Sequence, residues 1–345
     1  MGVFAYHDTI IYTGVVYMDK KYCDAVFEGG GIRGIGHIGA IQEFEKTGYT
    51  FRNVAGTSVG AMIAALIAAG YSPREMYAEL GNMDFKNFKK FTMFTAGSLG
   101  IYSAEKFEEW FDELLSRKNV STFADVGPRL KIVAADLTTK KTLVLPDGLS
   151  KFGIDPKTFK ISTAVRMSMS IPIFYEPFIL RDKEGNVHYI VDGGLLSNFP
   201  IWLFDDGSKK QTVPVFGFRF KKHNTTPEKI PHVISYIKEL VAASIEGSAH
   251  SVSNLLHGDA ERTVYIDTMV NDVSIGVTDF SITKQQQAAL YNNGVAAAKS
   301  FLPFNFKDWQ KNFRSDDSPK TIDLLKRFLV KSGHEQINRS KLEDE

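Results

Sequence analysis

Near the start of the chain, apolar and polar positions repeat one pattern twice. Ala25-Val26-Phe27 is a short apolar run that reads as a strand, and Gly29-Gly30-Gly31-Ile32-Arg33-Gly34 follows it as a turn. Ile35, Ile38, Ile41 and Phe44 then recur at helical spacing, up to Lys46 and Gly48. Phe51-Arg52-Asn53-Val54-Ala55 predicts a second strand, and Gly56-Thr57-Ser58-Val59-Gly60 turns the chain again. Val59 to Ala69 is almost purely apolar, which predicts a buried helix closed by Gly70. Strand, loop, helix, strand, turn, helix is how a parallel sheet covered by helices begins.

The remaining pattern is less regular. Thr9 to Tyr17 is β-prone and broken by Gly14, which suits a strand or hairpin. Ser72-Pro73 opens a helix as N-cap and first helical residue. Ala104 to Leu115 carries Phe107, Trp110, Phe111, Leu114 and Leu115 on one helical face. Leu130–Ala135 and Thr142–Leu145 predict strands, and Ser162–Met169 a helix rich in small residues. Phe178–Leu180 and Val187–Val191 predict a hairpin across Lys183-Glu184-Gly185-Asn186. Val213–Phe220 reads as the last clear strand, with helices over Pro231–Leu256 and Lys284–Leu302. Ser318-Pro319 opens an amphipathic helix that closes at Gly333. In Phe85 to Phe94, at about 100° per residue, the phenylalanines share one half of a helical wheel and Lys86, Lys89 and Lys90 the other. Such a helix either buries its rings as a cap, the expectation here, or lies on a membrane surface.

Composition narrows the classes. The 345 residues allow a large α/β domain with an appendage, or two domains. With 41 basic against 40 acidic residues, nothing favours nucleic acid as a partner. Cys23 is the single cysteine, so no intrachain disulfide forms. The 26 phenylalanines suit a large core or an acyl-chain pocket. No apolar stretch reaches the about 18 residues of a spanning helix. The N-terminus lacks a secretory pattern, and Tyr6 breaks the myristoylation pattern. A cytoplasmic location, peripheral at a membrane, is therefore expected, with export lacking an N-terminal signal as the alternative.

Ser58 carries the sharpest chemical signal. Gly56-Thr57-Ser58-Val59-Gly60 matches G-x-S-x-G, a nucleophile elbow, in the strand–turn–helix context the motif requires. The glycine run Gly29–Gly34 also satisfies G-x-G-x-x-G, but a dinucleotide site wants an acidic residue about 20 positions on. Val54-Ala55-Gly56-Thr57-Ser58 stands there instead, and no G-K-[ST] closes the run as a P-loop would require. Paired with the elbow, the run favours an oxyanion hole of backbone N–H groups. The serine needs a base. In an α/β-hydrolase the chain order is Ser, acid, His, which makes His223, His232, His250 and His257 formal candidates, but none lies in a distinctive motif. Asp192, ending a β-prone run at Asp192-Gly193-Gly194, is the better candidate. A histidine base predicts a rate limb near pH ~6.5 that an aspartate base lacks. Arg33 either meets a lipid phosphate or locks its loop, the second being the expectation here, and Asp136 is expected to make turn hydrogen bonds.

Four segments occur in order: Gly29–Gly34, Gly56–Gly60, Arg166-Met167-Ser168-Met169-Ser170-Ile171-Pro172 and Asp192-Gly193-Gly194, followed by Asn198-Phe199-Pro200. Together they resemble the patatin-like phospholipases, a family that also resembles the catalytic domain of mammalian cytosolic phospholipases. The resemblance covers roughly Asp24 to Phe220. It implies a three-layer α/β/α fold with a mainly parallel central sheet; it does not explain residues 1–23 or the C-terminal third, where helical spacing predicts a helical C-terminal region. It makes Ser58 the nucleophile and Asp192 its partner in a Ser-Asp dyad. Gly29, Gly30, Gly31, Ile32, Arg33 and Gly34 would form the oxyanion hole, with Arg33 in the family's basic position. Gly56, Thr57, Val59 and Gly60 would shape the elbow, and Gly193 and Gly194 the turn after the aspartate. The implied activity is lipid acyl hydrolysis through an acyl-enzyme, on a phospholipid or other lipid ester, with transient membrane contact and neither metal nor cofactor. The alternatives are a serine esterase with a histidine triad and a non-catalytic dinucleotide- or lipid-binding protein. The expected organisation is an N-terminal extension over 1–23, a catalytic domain over 24–220, a mostly helical region over 221–333 packed on it, and a mobile tail over 334–345.

Overall fold

The computed structural model describes residues 20–82, 100–126, 129–205, 211–223, 258–277 and 282–314, short pieces at 9–12, 15–18 and 90–91, and parts of 236–247. A hairpin of β1 (Thr9–Tyr12) and β2 (Val15–Met18) precedes β3 (Lys21–Phe27), α1 (Gly34–Lys46), β4 (Tyr49–Thr57) and α2 (Val59–Ala68). Then come α3 (Pro73–Asn82), β5 (Lys90–Phe91), β6 (Gly100–Ser103), α4 (Glu105–Ser116), α5 (Phe123–Val126), β7 (Leu130–Asp136) and β8 (Lys141–Leu145). The helix α6 (Ile161–Met169) leads to β9 (Ile173–Tyr175), β10 (Phe178–Arg181), β11 (Val187–Asp192) and the single turn α7 (Gly194–Ser197). Finally β12 (Val215–Phe220), β13 (Thr263–Ile266), the small hairpin β14 (Met269–Val270) and β15 (Val273–Ser274), and helices Lys284–Phe301 and Phe306–Phe313 complete the described chain.

The eight-stranded sheet runs β10-β11-β7-β4-β3-β12-β13, with β8 also on β7. β3, β4, β7, β12 and β13 are parallel, whereas β8, β10 and β11 run antiparallel to their neighbours. Alternation sorts side chains onto two faces. Ala25, Phe27, Val54, Phe216 and Phe218 pack under α1 and α2, while Val26, Ala55 and Val215 pack against Phe199 and Ile201 on the other side. Both faces are covered, so the central strands are apolar throughout, as parallel strands must be. The α2 helix is buried along almost its whole length, which accounts for its uniformly apolar sequence. The helix Lys284–Phe301 lies on α1 at small residues, since a methyl group on Gly39 would fall 2.0 Å from the Tyr291 carbonyl oxygen. Its start is sealed by a capping box between Thr283 and Gln286.

Two sequence expectations change here. Val213–Phe220 does not hold the last strand, because β13 extends the sheet in parallel beyond β12. Thr263-Val264-Tyr265-Ile266 is only four residues long and flanked by charges, so it gives little periodic signal. Within Phe85–Phe94, Lys90–Phe91 pairs with Ser103 and Tyr102 as a strand, which breaks the expected continuous helix; the other residues of that segment lie outside the described ones. Of Pro231–Leu256, residues 239–245 are helical. The expected helix from Ser318 to Gly333 and the tail 334–345 lie outside the described residues.

Candidate active site

The site begins with how β7 is shared. On one side it pairs with β8 over Ile132–Asp136. On the other, β4 occupies Leu130–Val133 and β11 occupies Ala134–Asp136. β4 and the antiparallel β11 therefore meet end to end along one flank of β7. Thr57 faces Val133 and Asp192 faces Ala134, the next residue along. Ser58 follows Thr57, so strand register brings Ser58 and Asp192 together across 134 positions of sequence.

Ser58 is buried at 6 % exposure and has φ 54° and ψ −124°, a conformation that L-residues rarely adopt. The elbow is held by tight backbone packing: a methyl on Gly60 would lie 2.2 Å from the Phe27 carbonyl oxygen, and one on Gly56 2.2 Å from Gly60. Thr57 is fixed by its hydroxyl, which donates to the Ser197 carbonyl at 2.8 Å, and Val59 packs against Gly34.

The Arg166–Pro172 segment positions both residues. Ser168 Oγ accepts the Ser58 N–H at 2.8 Å and donates to the Val133 carbonyl at 2.6 Å. The Asp192 N–H donates to the Ser170 carbonyl at 2.9 Å. Sequence reasoning singled out this segment but assigned Ser168 and Ser170 no role. The Ser-x-Ser spacing was the available signal.

Asp192 is 1 % exposed. Its Oδ1 accepts the Gly194 N–H at 2.7 Å, whereas its buried Oδ2 has no partner of full hydrogen-bond geometry. Burial pushes its pKa up to about 7, opposed by the Ser58 hydroxyl and the Gly194 amide. A carboxylate of this kind titrates where histidine does, so a limb near neutrality no longer separates an aspartate base from a histidine base. Gly193 passes so close to β7 that a methyl there would lie 2.2 Å from the Val133 carbonyl oxygen.

The glycine run forms a short 3-10 turn, Gly31–Arg33, opening into α1. Its amides are not equivalent. Gly29 N–H donates to the Asn198 carbonyl, Arg33 N–H to the Gly30 carbonyl, and Gly34 N–H to Gly31 and Ile32. These three are committed within the fold, which leaves the amides of Gly30, Gly31 and Ile32 as the candidate donors. Gly31 needs φ +57°, and a methyl there would meet the Val277 carbonyl oxygen at 2.1 Å. Arg33 Nε donates to the Gly30 carbonyl at 3.2 Å, and its guanidinium lies 4.9 Å from the centre of the Phe220 ring. These contacts tie down the loop. Asn198 clamps Gly29 a second time, with its Nδ2 donating to the Gly29 carbonyl at 3.3 Å.

Beside this loop lies a cleft of about 450 Å³, lined by Glu28, Arg33, Asn198, Phe220, His223 and Tyr265 among others; Ser58 and Asp192 are not in its walls. Glu28 is held by the Phe220 amide at 2.7 Å and Arg219 Nε at 3.2 Å. Burial nevertheless leaves its pKa above the ordinary value.

The histidines divide clearly. His37 is buried against the Glu28 carbonyl, and burial brings its pKa down to about 4. His188 is bonded to Asp136 at 2.8 Å and Asp182 at 3.3 Å, neither of them Asp192. His223 faces Asp267 at 2.9 Å. His232, His250 and His257 lie outside the described residues. Asp136 makes the expected turn hydrogen bonds, to Thr138 and Thr139, and additionally binds His188 and Lys151.

Residues 25–205 match the family model for patatin-like phospholipase. The chain belongs to the patatin-like phospholipase family. The Bacillus subtilis (strain 168) protein YqhO is 37 % identical over 303 residues, covering 84 % of this chain and 99 % of that one. The cGAMP-activated phospholipase of Escherichia coli (strain TW11681) is 22 % identical over 82 % of this chain and 89 % of its own. Among solved structures, VipD from Legionella pneumophila superposes with a TM-score of 0.53 at 16 % identity, covering 93 % of this chain and 78 % of that one. That likeness bears on the patatin-like fold alone. Family membership supports lipid ester hydrolysis as the activity. Among the described residues no helix is long and apolar enough to cross a membrane.

Proposed function

We propose that this patatin-like protein hydrolyses carboxylic esters of lipids through a Ser58–Asp192 dyad and an acyl-enzyme. The observation that carries the reading is the end-to-end meeting of β4 and β11, which sets an elbow serine against a buried carboxylate whose pKa is raised to about 7. Asp192 takes the hydroxyl proton as Ser58 attacks the ester carbonyl, and the amides of Gly30, Gly31 and Ile32 hold the oxyanion. The leaving alcohol departs with that proton. Water, deprotonated by the same carboxylate, then releases the fatty acid. A base near pKa 7 is both ionised and competent to accept a proton at neutral pH. Gly56, Thr57, Val59 and Gly60 hold the elbow in this scheme, Gly193 and Gly194 the carboxylate, and Gly29, Arg33 and Gly34 the donor loop.

The test is hydrolysis of a soluble short-chain ester and of phospholipid vesicles by wild type, Ser58→Ala and Asp192→Asn, with folding checked by circular dichroism. Loss of turnover in both variants supports the dyad. Retention of activity in either removes that residue from the mechanism.

A further inference from the structure

The β10–β11 hairpin stands directly beyond β4 on the flank of β7. One of its faces is buried, with Leu180, His188 and Ile190 turned inward. The other carries Ile179 opposite Tyr189. Register extends this pair by one strand: Asp136 faces Ile190, and Leu137 N–H donates to the Tyr189 carbonyl at 2.9 Å. Residues directly opposite in antiparallel strands share a face at about 5 Å spacing. Leu137, the first residue past β7, therefore continues the Tyr189–Ile179 pair as one apolar row. They are 40 %, 37 % and 55 % exposed. A water-facing row of this kind would ordinarily be polar.

Its surroundings are basic. Arg181 lies on the same face two pairs nearer the turn, Lys183 is in the turn, and Lys140 is in the exposed β7–β8 connection. Against them stand Glu184 and Asp182, and Asp182 is taken up by Asn186 and His188. The row is also on the catalytic edge of the sheet. Leu137 lies four residues beyond Val133, the partner of Thr57, which is about 13 Å along the strand direction.

We infer that the Leu137–Tyr189–Ile179 row, with its basic fringe, docks an anionic lipid bilayer and holds the nucleophile's edge of the sheet against it. Aliphatic and aromatic side chains enter the headgroup boundary while the cations meet lipid phosphates. This rests on the lipid-hydrolase reading for its biological sense, but the binding can be read without turnover.

The experiment is flotation of the Ser58→Ala chain with vesicles of phosphatidylglycerol and phosphatidylcholine, and of phosphatidylcholine alone. The expected result is flotation with the anionic vesicles. Adding Leu137→Ser, Ile179→Ser and Tyr189→Ser should lower it by more than about tenfold. In the Ser58-containing chain the same three changes should leave turnover of a soluble ester intact. A second variant, Lys140→Glu with Lys183→Glu, should weaken anionic vesicles alone, by about fivefold or more. Flotation of the triple variant equal to its parent overturns the inference, as does a parent that does not float. A dimer that the triple variant converts to monomer overturns it too, by making the row a contact between copies. Absence of ester turnover in the wild type would count against the dyad and leave the flotation result standing.

Discussion

Two aspartates, Asp136 and Asp192, sit within two residues of register on neighbouring strands, and both are buried. Asp136 is surrounded by donors: the amides of Thr138 and Thr139, the Thr139 hydroxyl, His188 and Lys151. Burial pushes its pKa up, but His188, Thr139 and Lys151 together bring it below the ordinary value. Asp192 has one amide and the facing Ser58 hydroxyl, and burial wins. The same side chain, closed to solvent in both places, is thus a fixed anion in one and a proton acceptor in the other. Asp192 lies deeper and has fewer donors, and the two together decide which. A saturated carboxylate builds structure, and a base needs an oxygen kept short of partners.

The sharpest way to break this contrast is substitution at each aspartate. Asp192→Asn should lower kcat on a soluble ester by about 10²–10⁴-fold, and Ser58→Ala by more, with both chains still folded. Asp136→Asn should do the reverse, costing about 3–5 kcal/mol in urea unfolding by leaving Lys151 and His188 short of their anion, with kcat of the folded fraction near wild type. Equal kinetic damage from both substitutions would abolish the distinction.

The next effect concerns stability against pH. Asp192 has a folded pKa raised to about 7 against an unfolded value of about 3.9. Its contribution is present below the unfolded value and is lost as pH rises through about 7, at most about 4 kcal/mol in all. Asp136 has a lowered pKa, so its contribution is present above the unfolded value and is lost as pH falls through the folded one. Unfolding curves between pH 4 and 8 should show the Asp192→Asn variant gaining on wild type as pH rises. No such gain would mean that Asp192 is not protonated in the folded state near pH 5.

A smaller loss is expected from Ser168→Ala, which removes the acceptor of the Ser58 amide: about 1–3 kcal/mol in kcat/KM, carried by kcat. Last is the rate profile. Turnover should rise through about pH 7, and the midpoint should move little with temperature because carboxyl ionisation has a small enthalpy. A strongly temperature-dependent midpoint would point to an imidazole instead.

The two βα units, the elbow and the Asp192 turn were legible because each is local: periodicity and glycine placement lie within a few residues of the feature they produce. The donor set was not. Whether Gly29 N–H is available depends on Asn198, 169 positions away, and a glycine run gives no sign of it. Ser168 was invisible for the same reason, since its partners Ser58 and Val133 come from the elbow and from β7, far away in sequence. β13 escaped because a short strand buried on both faces and bounded by charges has no alternation to read. The raised pKa of Asp192 follows from depth and from missing donors, neither of which D-G-G encodes.

β7 acts as a common ruler for the chemistry. Since β4 and β11 each register on it independently, the spacing between nucleophile and base is set by one strand's repeat and not by the chain that connects them. That connection can lengthen at loop-closure costs that grow only as the logarithm of its length. The dyad is therefore insulated from insertions between the two strands: what surrounds the site can be rebuilt while the reacting atoms keep their separation.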